Sequence, residues 1–126
     1  MRKLSVTVVR TFLGLIFTVF GLNGFFQFLP MPAPTGMMGE MMGVYIKMGY
    51  MFPLIFATQL VGGILLLTNM FAALGVVLLA PVIVNIVCLH AFVDPSGLPI
   101  AIVVLLAELF LAYSYKDKYA LLLKAK

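Results

Sequence analysis

Residues 71–92 read FAALGVVLLAPVIVNIVCLHAF, with no Asp, Glu, Lys or Arg among them. At 1.5 Å per residue, about 20 helical residues cross a hydrocarbon core of roughly 30 Å, so this run predicts a transmembrane helix. Polar side chains inside such a run are costly and need a reason. After Pro81 they are Asn85, Cys88 and His90, and Asp94-Pro95 closes the run. Asn85 and His90 are therefore the first candidates for function.

The rest of the chain is built in the same way. Its 126 residues are 64% hydrophobic and 10% charged, with a mean hydropathy of +1.21. That is more apolar surface than a soluble domain of this size carries, so the bilayer must be part of the solvent. The length leaves room for about four spans. The formal charge of +4 is concentrated at the two ends, in Arg2, Lys3, Arg10, Lys116, Lys118, Lys124 and Lys126. No basic patch with stacking aromatics accompanies it, so no nucleic-acid partner is expected. The charge reads as a topology signal that puts both termini in the cytoplasm. The single cysteine, Cys88, excludes an internal disulfide and a C-x-x-C redox pair.

The fold expected is all-α: a polytopic membrane protein forming one four-helix transmembrane bundle over residues 1–126. The spans fall at about 6–29, 50–68, 71–92 and 98–115. The run from Val6 is too long for a signal peptide. Arg10, Gly14, Thr18 and Gly21 share one side of it, a small-residue face suited to close helix packing. Pro30, Pro32 and Pro34 stop this first helix. The connection that follows is rich in Met and Gly. It predicts a short interfacial helix from about Gly36 to Met48 in the first external loop, with Glu40 and Lys47 toward water. Thr68-Asn69-Met70 is so short a turn that the second and third spans must form a tight antiparallel hairpin. Lys116 to Lys126 reads as a short basic helical tail on the membrane surface.

Three groups of side chains stand out. Arg10 and Glu108 are the charges deepest in the apolar zone, and their spacing from the basic ends allows a buried charge pair. The alternatives are an Arg10 that snorkels to the headgroups and a separately bonded Glu108, or a proton relay. Gln59, Asn85 and His90, joined by Asn23 or Gln27, fall in the middle or outer half of three spans. They form a candidate ligand pocket beneath the Met-rich loop. The competing reading is hydrogen bonding between helices. Asn85 and His90 are about 140° apart on one helix, so a shared pocket requires a kink at Pro81 that rotates the outer half. Met37, Met38, Met41 and Met42 carry thioethers of the kind that hold Cu(I). Their bland reading, favoured by composition, is flexible apolar filling for a lid. No other metal-ligand spacing, phosphate loop or nucleophile triad is visible, and no catalytic residue is assigned.

Gly14-Leu15-Ile16-Phe17 with Phe20-Gly21-Leu22-Asn23, then Gln59-Leu60-Val61-Gly62-Gly63-Ile64-Leu65-Leu66, then Ala80-Pro81-Val82-Ile83-Val84-Asn85 leading to His90, occur in this order. In a short four-span chain they resemble the DoxX family of small bacterial membrane proteins, over nearly the whole length. The resemblance implies a four-helix bundle in the bacterial inner membrane. It also implies an accessory place in a membrane-associated oxidoreductase system, since some members are small subunits of a thiosulfate:quinone oxidoreductase. A soluble or membrane oxidoreductase is then the expected partner, quinone the candidate cofactor, and no catalytic activity of the chain's own is expected. The family often carries Glu where this chain has Gln59, which takes one charge out of the expected pocket. Two alternatives of other classes stand beside this: a small carrier or pore for an uncharged solute, and a membrane assembly factor without a ligand.

Overall fold

A computed structural model describes residues 2–29 and 34–125. Pro30, Pro32 and Lys126, named above, lie outside the described residues. The helices are α1 (Arg2–Phe26), α2 (Gly36–Met48), α3 (Met51–Thr68), α4 (Ala72–Phe92), α5 (Leu98–Ser114) and α6 (Lys116–Tyr119). A 3₁₀ turn, Pro95–Gly97, precedes α5. Four segments are long and apolar enough to cross a membrane: Lys3–Phe26, Met51–Thr68, Ala72–Phe92 and Pro95–Ser114. At most 28% of any of them is buried inside the protein. Their outward faces present side chains such as Leu15, Val61, Val84 and Leu106, all largely exposed. Apolar faces this extensive are stable only against hydrocarbon, and helices satisfy their own backbone polar groups there. The all-α four-helix transmembrane bundle follows from both observations.

The spans form a ring in which α1 packs on α3 and α5, and α4 packs on the same two helices. Leu13, Phe17, Leu66, Leu79, Ile83 and Leu111 fill its centre. The α1–α3 seam is the closest. A methyl group on Gly63 would lie 2.6 Å from the Thr18 backbone nitrogen, and one on Gly14 would lie 2.8 Å from that of Leu67. Only hydrogen fits at either point, so the two backbones meet directly, as small residues permit in membrane helices.

The helix ends are set by local chemistry. α1 stops at Phe26, earlier than the expected boundary at residue 29. Gln27 adopts a left-handed conformation (φ 52), and its N–H donates to the Asn23 carbonyl at 2.7 Å. The Asn23 side-chain oxygen then accepts from the Leu29 N–H at 2.7 Å. This left-handed C-terminal closure ends the helix before the prolines are reached. Left-handed Asn69 (φ 57) and Phe71 (φ 55) make the tight turn between α3 and α4. Pro81 lies inside α4, which continues as one helix to Phe92.

At the loop end, the Asp94 carboxylate accepts from the Ser96 N–H at 3.3 Å and hydroxyl at 2.8 Å, starting the 3₁₀ turn. At the opposite end, helix in the tail is limited to Lys116–Tyr119, shorter than the tail helix expected. The Tyr119 hydroxyl donates to the Ala73 carbonyl at 2.7 Å and pins the tail to the start of α4.

Candidate functional site

Gln59 shares the inner face of α3 with Gly62 and Gly63, and all three are buried. Asn85 lies one helical turn beyond Pro81 on α4, so the two residues share a face. α2 closes over the gap between these helices. Tyr45 of α2 meets Phe52 edge-on at 5.6 Å, and Phe52 stacks on Phe56 at 5.4 Å. A cavity of about 510 Å³ remains, with Gln59, Pro81 and Asn85 on its wall and Met41, Met42 and Tyr45 above. This volume is that of a small-molecule site, and the composition fits too: mostly apolar and aromatic, with two polar groups. Each amide offers two donors and one acceptor.

His90 lies outside this cavity, contrary to the shared pocket expected of Gln59, Asn85 and His90. α4 runs as one helix through Pro81, so the two side chains keep their angular separation. His90 lines a second cavity of about 410 Å³ with Met37, Met38, Met42 and Asp94. Its Nδ1 lies 3.0 Å from the Asp94 carbonyl oxygen. Met42 lines both cavities. Met41, expected with the other three methionines as one thioether set, faces only the first. Asn23 is also placed differently from expectation. It is buried, and its side-chain oxygen closes the end of α1. Gln27 is exposed beyond it.

The expected Arg10–Glu108 charge pair does not form. Arg10 is buried, and its guanidinium donates to the Leu66 carbonyl and, at 3.4 Å, to that of Leu67. The physical reason is the end of α3. The last carbonyls of a helix lack intrahelical donors and attract a cation, and the last turn of α3 holds no basic residue of its own. That second fact is a sequence signal for Arg10's real partner.

Glu108 is buried at the α4–α5 contact, beside a groove of about 280 Å³ that Val77, Ala80 and Leu105 also line. Among the described residues, neither of its carboxyl oxygens has a hydrogen-bond partner. Tyr119 reaches the same groove. Sequence reading misses this tyrosine, because its contact with Ala73 joins the tail to a helix start 46 positions away.

Among the described residues, no group of three or more His, Cys, Asp or Glu side chains is placed to hold a metal ion. Cys88 is free and exposed. No family model matches the chain, and neither does any curated protein or solved structure.

Proposed function

We propose that the cavity between α3 and α4 binds the head group of a lipophilic carbonyl compound, quinones being the class that fits. On this reading the chain is a DoxX-like accessory subunit of a membrane-associated oxidoreductase system. It sits in a bacterial inner membrane with both termini cytoplasmic. The observation that carries the reading is the placement of Gln59 and Asn85 on one cavity wall, facing aromatic and methionine side chains. A ring with two carbonyls needs one or two donors in an otherwise apolar slot, and the amides supply them. An apolar tail would leave through the bundle's lipid-facing surface. The resemblance to DoxX proteins supports the redox context, and the basic ends support the orientation.

The test is photolabelling in proteoliposomes with an azido-quinone, followed by peptide mapping. Label should collect on α3 and α4 near Gln59 and Asn85. It should fall sharply in Gln59→Leu and Asn85→Leu, and an isoprenoid tail without the ring should compete poorly. Label spread evenly over the lipid-facing surface, unchanged in both variants, would overturn the assignment. Purification from native membranes should bring down an oxidoreductase. Solute flux through the protein alone in liposomes would instead mark a carrier.

A further inference from the structure

We propose that Met37, Met38, Met42 and His90 form a Cu(I) site at the end of the bundle covered by α2. The site is separate from the carbonyl-binding reading and does not depend on it. All four side chains line one cavity of about 410 Å³. Three thioethers and one imidazole are soft or borderline ligands, a set that selects Cu(I) over zinc, calcium or magnesium.

The imidazole is arranged as a metal ligand requires. A carbonyl oxygen can only accept, so the 3.0 Å contact between Nδ1 and the Asp94 carbonyl means that Nδ1 carries the proton. The Nε2 lone pair is then left free. Donation of the other ring N–H to a backbone carbonyl is the usual way a protein fixes a ligating histidine. The ring is also held from the side. A methyl group on Gly97 would come within 2.5 Å of Cε1 and 2.7 Å of Nδ1, so the Gly97 backbone packs directly on the imidazole.

The thioethers are graded in depth. Met38 is 7% exposed and Met37 is 66% exposed, giving a floor and a rim through which an ion can enter. Met38 and Met42 are four residues apart and share one face of α2. Asp94 also lines this cavity, and its negative charge favours a cation nearby. Compared with the sequence-based thioether set, the proposed site takes His90 in place of Met41, which does not line this cavity.

The experiment uses the full-length, tag-free protein in detergent under reducing, anaerobic conditions. It is titrated with Cu(I) against bathocuproine disulfonate, and the bound metal is studied by X-ray absorption. One equivalent of copper should be retained, with both sulfur and nitrogen scatterers. Met38→Leu with Met42→Leu should remove the sulfur scattering and release the copper to the competitor. His90→Gln should remove the nitrogen. Gly97→Ala, which displaces the ring without deleting a ligand, should weaken retention about 10- to 100-fold, as loss of a positioning contact does elsewhere. Met41→Leu and Met70→Leu should retain copper like the parent, and thermal unfolding of every variant reports whether it is folded. Full transfer of copper from the parent protein to the competitor would overturn the proposal. So would retention undiminished in the folded Met38/Met42 variant, or zinc held in place of copper.

Discussion

Gly63→Ala isolates the α1–α3 seam. The added Cβ would sit 2.6 Å from the Thr18 nitrogen and 3.0 Å from the Gly14 carbonyl oxygen, both atoms of the α1 backbone. Ordinary contact begins at 3.4 Å, so the helices must part by about 0.8 Å (3.4 − 2.6). No side chain can rotate aside to absorb this, which puts the cost at the upper end of the overpacking range, about 3 kcal/mol. Alanine recovers about 1 kcal/mol of helix propensity, leaving a net loss of about 2 kcal/mol. Gly43→Ala is the control. A Cβ there meets nothing within 4 Å, and the same propensity gain should raise stability by up to about 1 kcal/mol. Equilibrium unfolding of both variants in one detergent should therefore separate them by about 3 kcal/mol. Equal stabilities would refute the backbone contact at Gly63.

Arg10→Leu strips a donor from the Leu66 and Leu67 carbonyls and should cost about 1–3 kcal/mol. Glu108→Leu removes a buried carboxyl without a partner and should raise stability by about 1 kcal/mol. With no contact between the two residues, the double variant should be additive within about 0.5 kcal/mol, and a larger coupling would restore the charge pair. Burial, with Glu108 and Tyr115 adding to it, pushes the Tyr119 phenol up to about 12. A raised acid stabilises the fold below the free tyrosine value of about 10 and loses that contribution as pH passes 12. A spectrophotometric titration of the folded protein should show a last-titrating tyrosine that is missing from Tyr119→Phe. Reporters fused at either terminus should read as cytoplasmic and one inserted near Thr35 as external; a translocated C-terminus would contradict the proposed orientation.

The spans are legible in the sequence because an uncharged apolar run of about 20 residues suits a bilayer core and little else. Helix α2 is legible because a Met-rich stretch with Glu40 and Lys47 to turn toward water follows the prolines that stop the first span. The packing face of α1 is legible too, since Gly14, Thr18 and Gly21 recur at helical spacing, but that α3 is the helix that meets it is not. What escapes is the pairing of polar groups across space. Spacing matches Arg10 to the nearest opposite charge, yet helix-end carbonyls attract a guanidinium as well, and they carry no letter in a sequence. Asn23 counts with the pocket because an amide near a helix end looks the same whether it faces a cavity or closes its own backbone. A kink at Pro81 would bring His90 to Asn85, and without it the angular count puts them in different cavities. Met38 and Met42 share a face by spacing, but the proximity of His90 to them depends on how α2 sits against the end of α4.

Arg10 finds its acceptor 56 positions later in the chain, and that distance is also a delay. At about 5–20 residues per second, Leu66 is synthesised about 3–11 s after Arg10. Over that interval α1 holds a guanidinium with no helix end to bond, at a cost below the roughly 2.5–3.5 kcal/mol of a charge at the bilayer centre, because Arg10 lies toward one end of its span. α1 is therefore expected to wait beside the insertion machinery until α3 emerges, and the two helices to enter the lipid as a pair. Nascent chains stalled just after α1 should cross-link to that machinery, and chains stalled well beyond α3 should not. In Arg10→Leu, α1 should leave early.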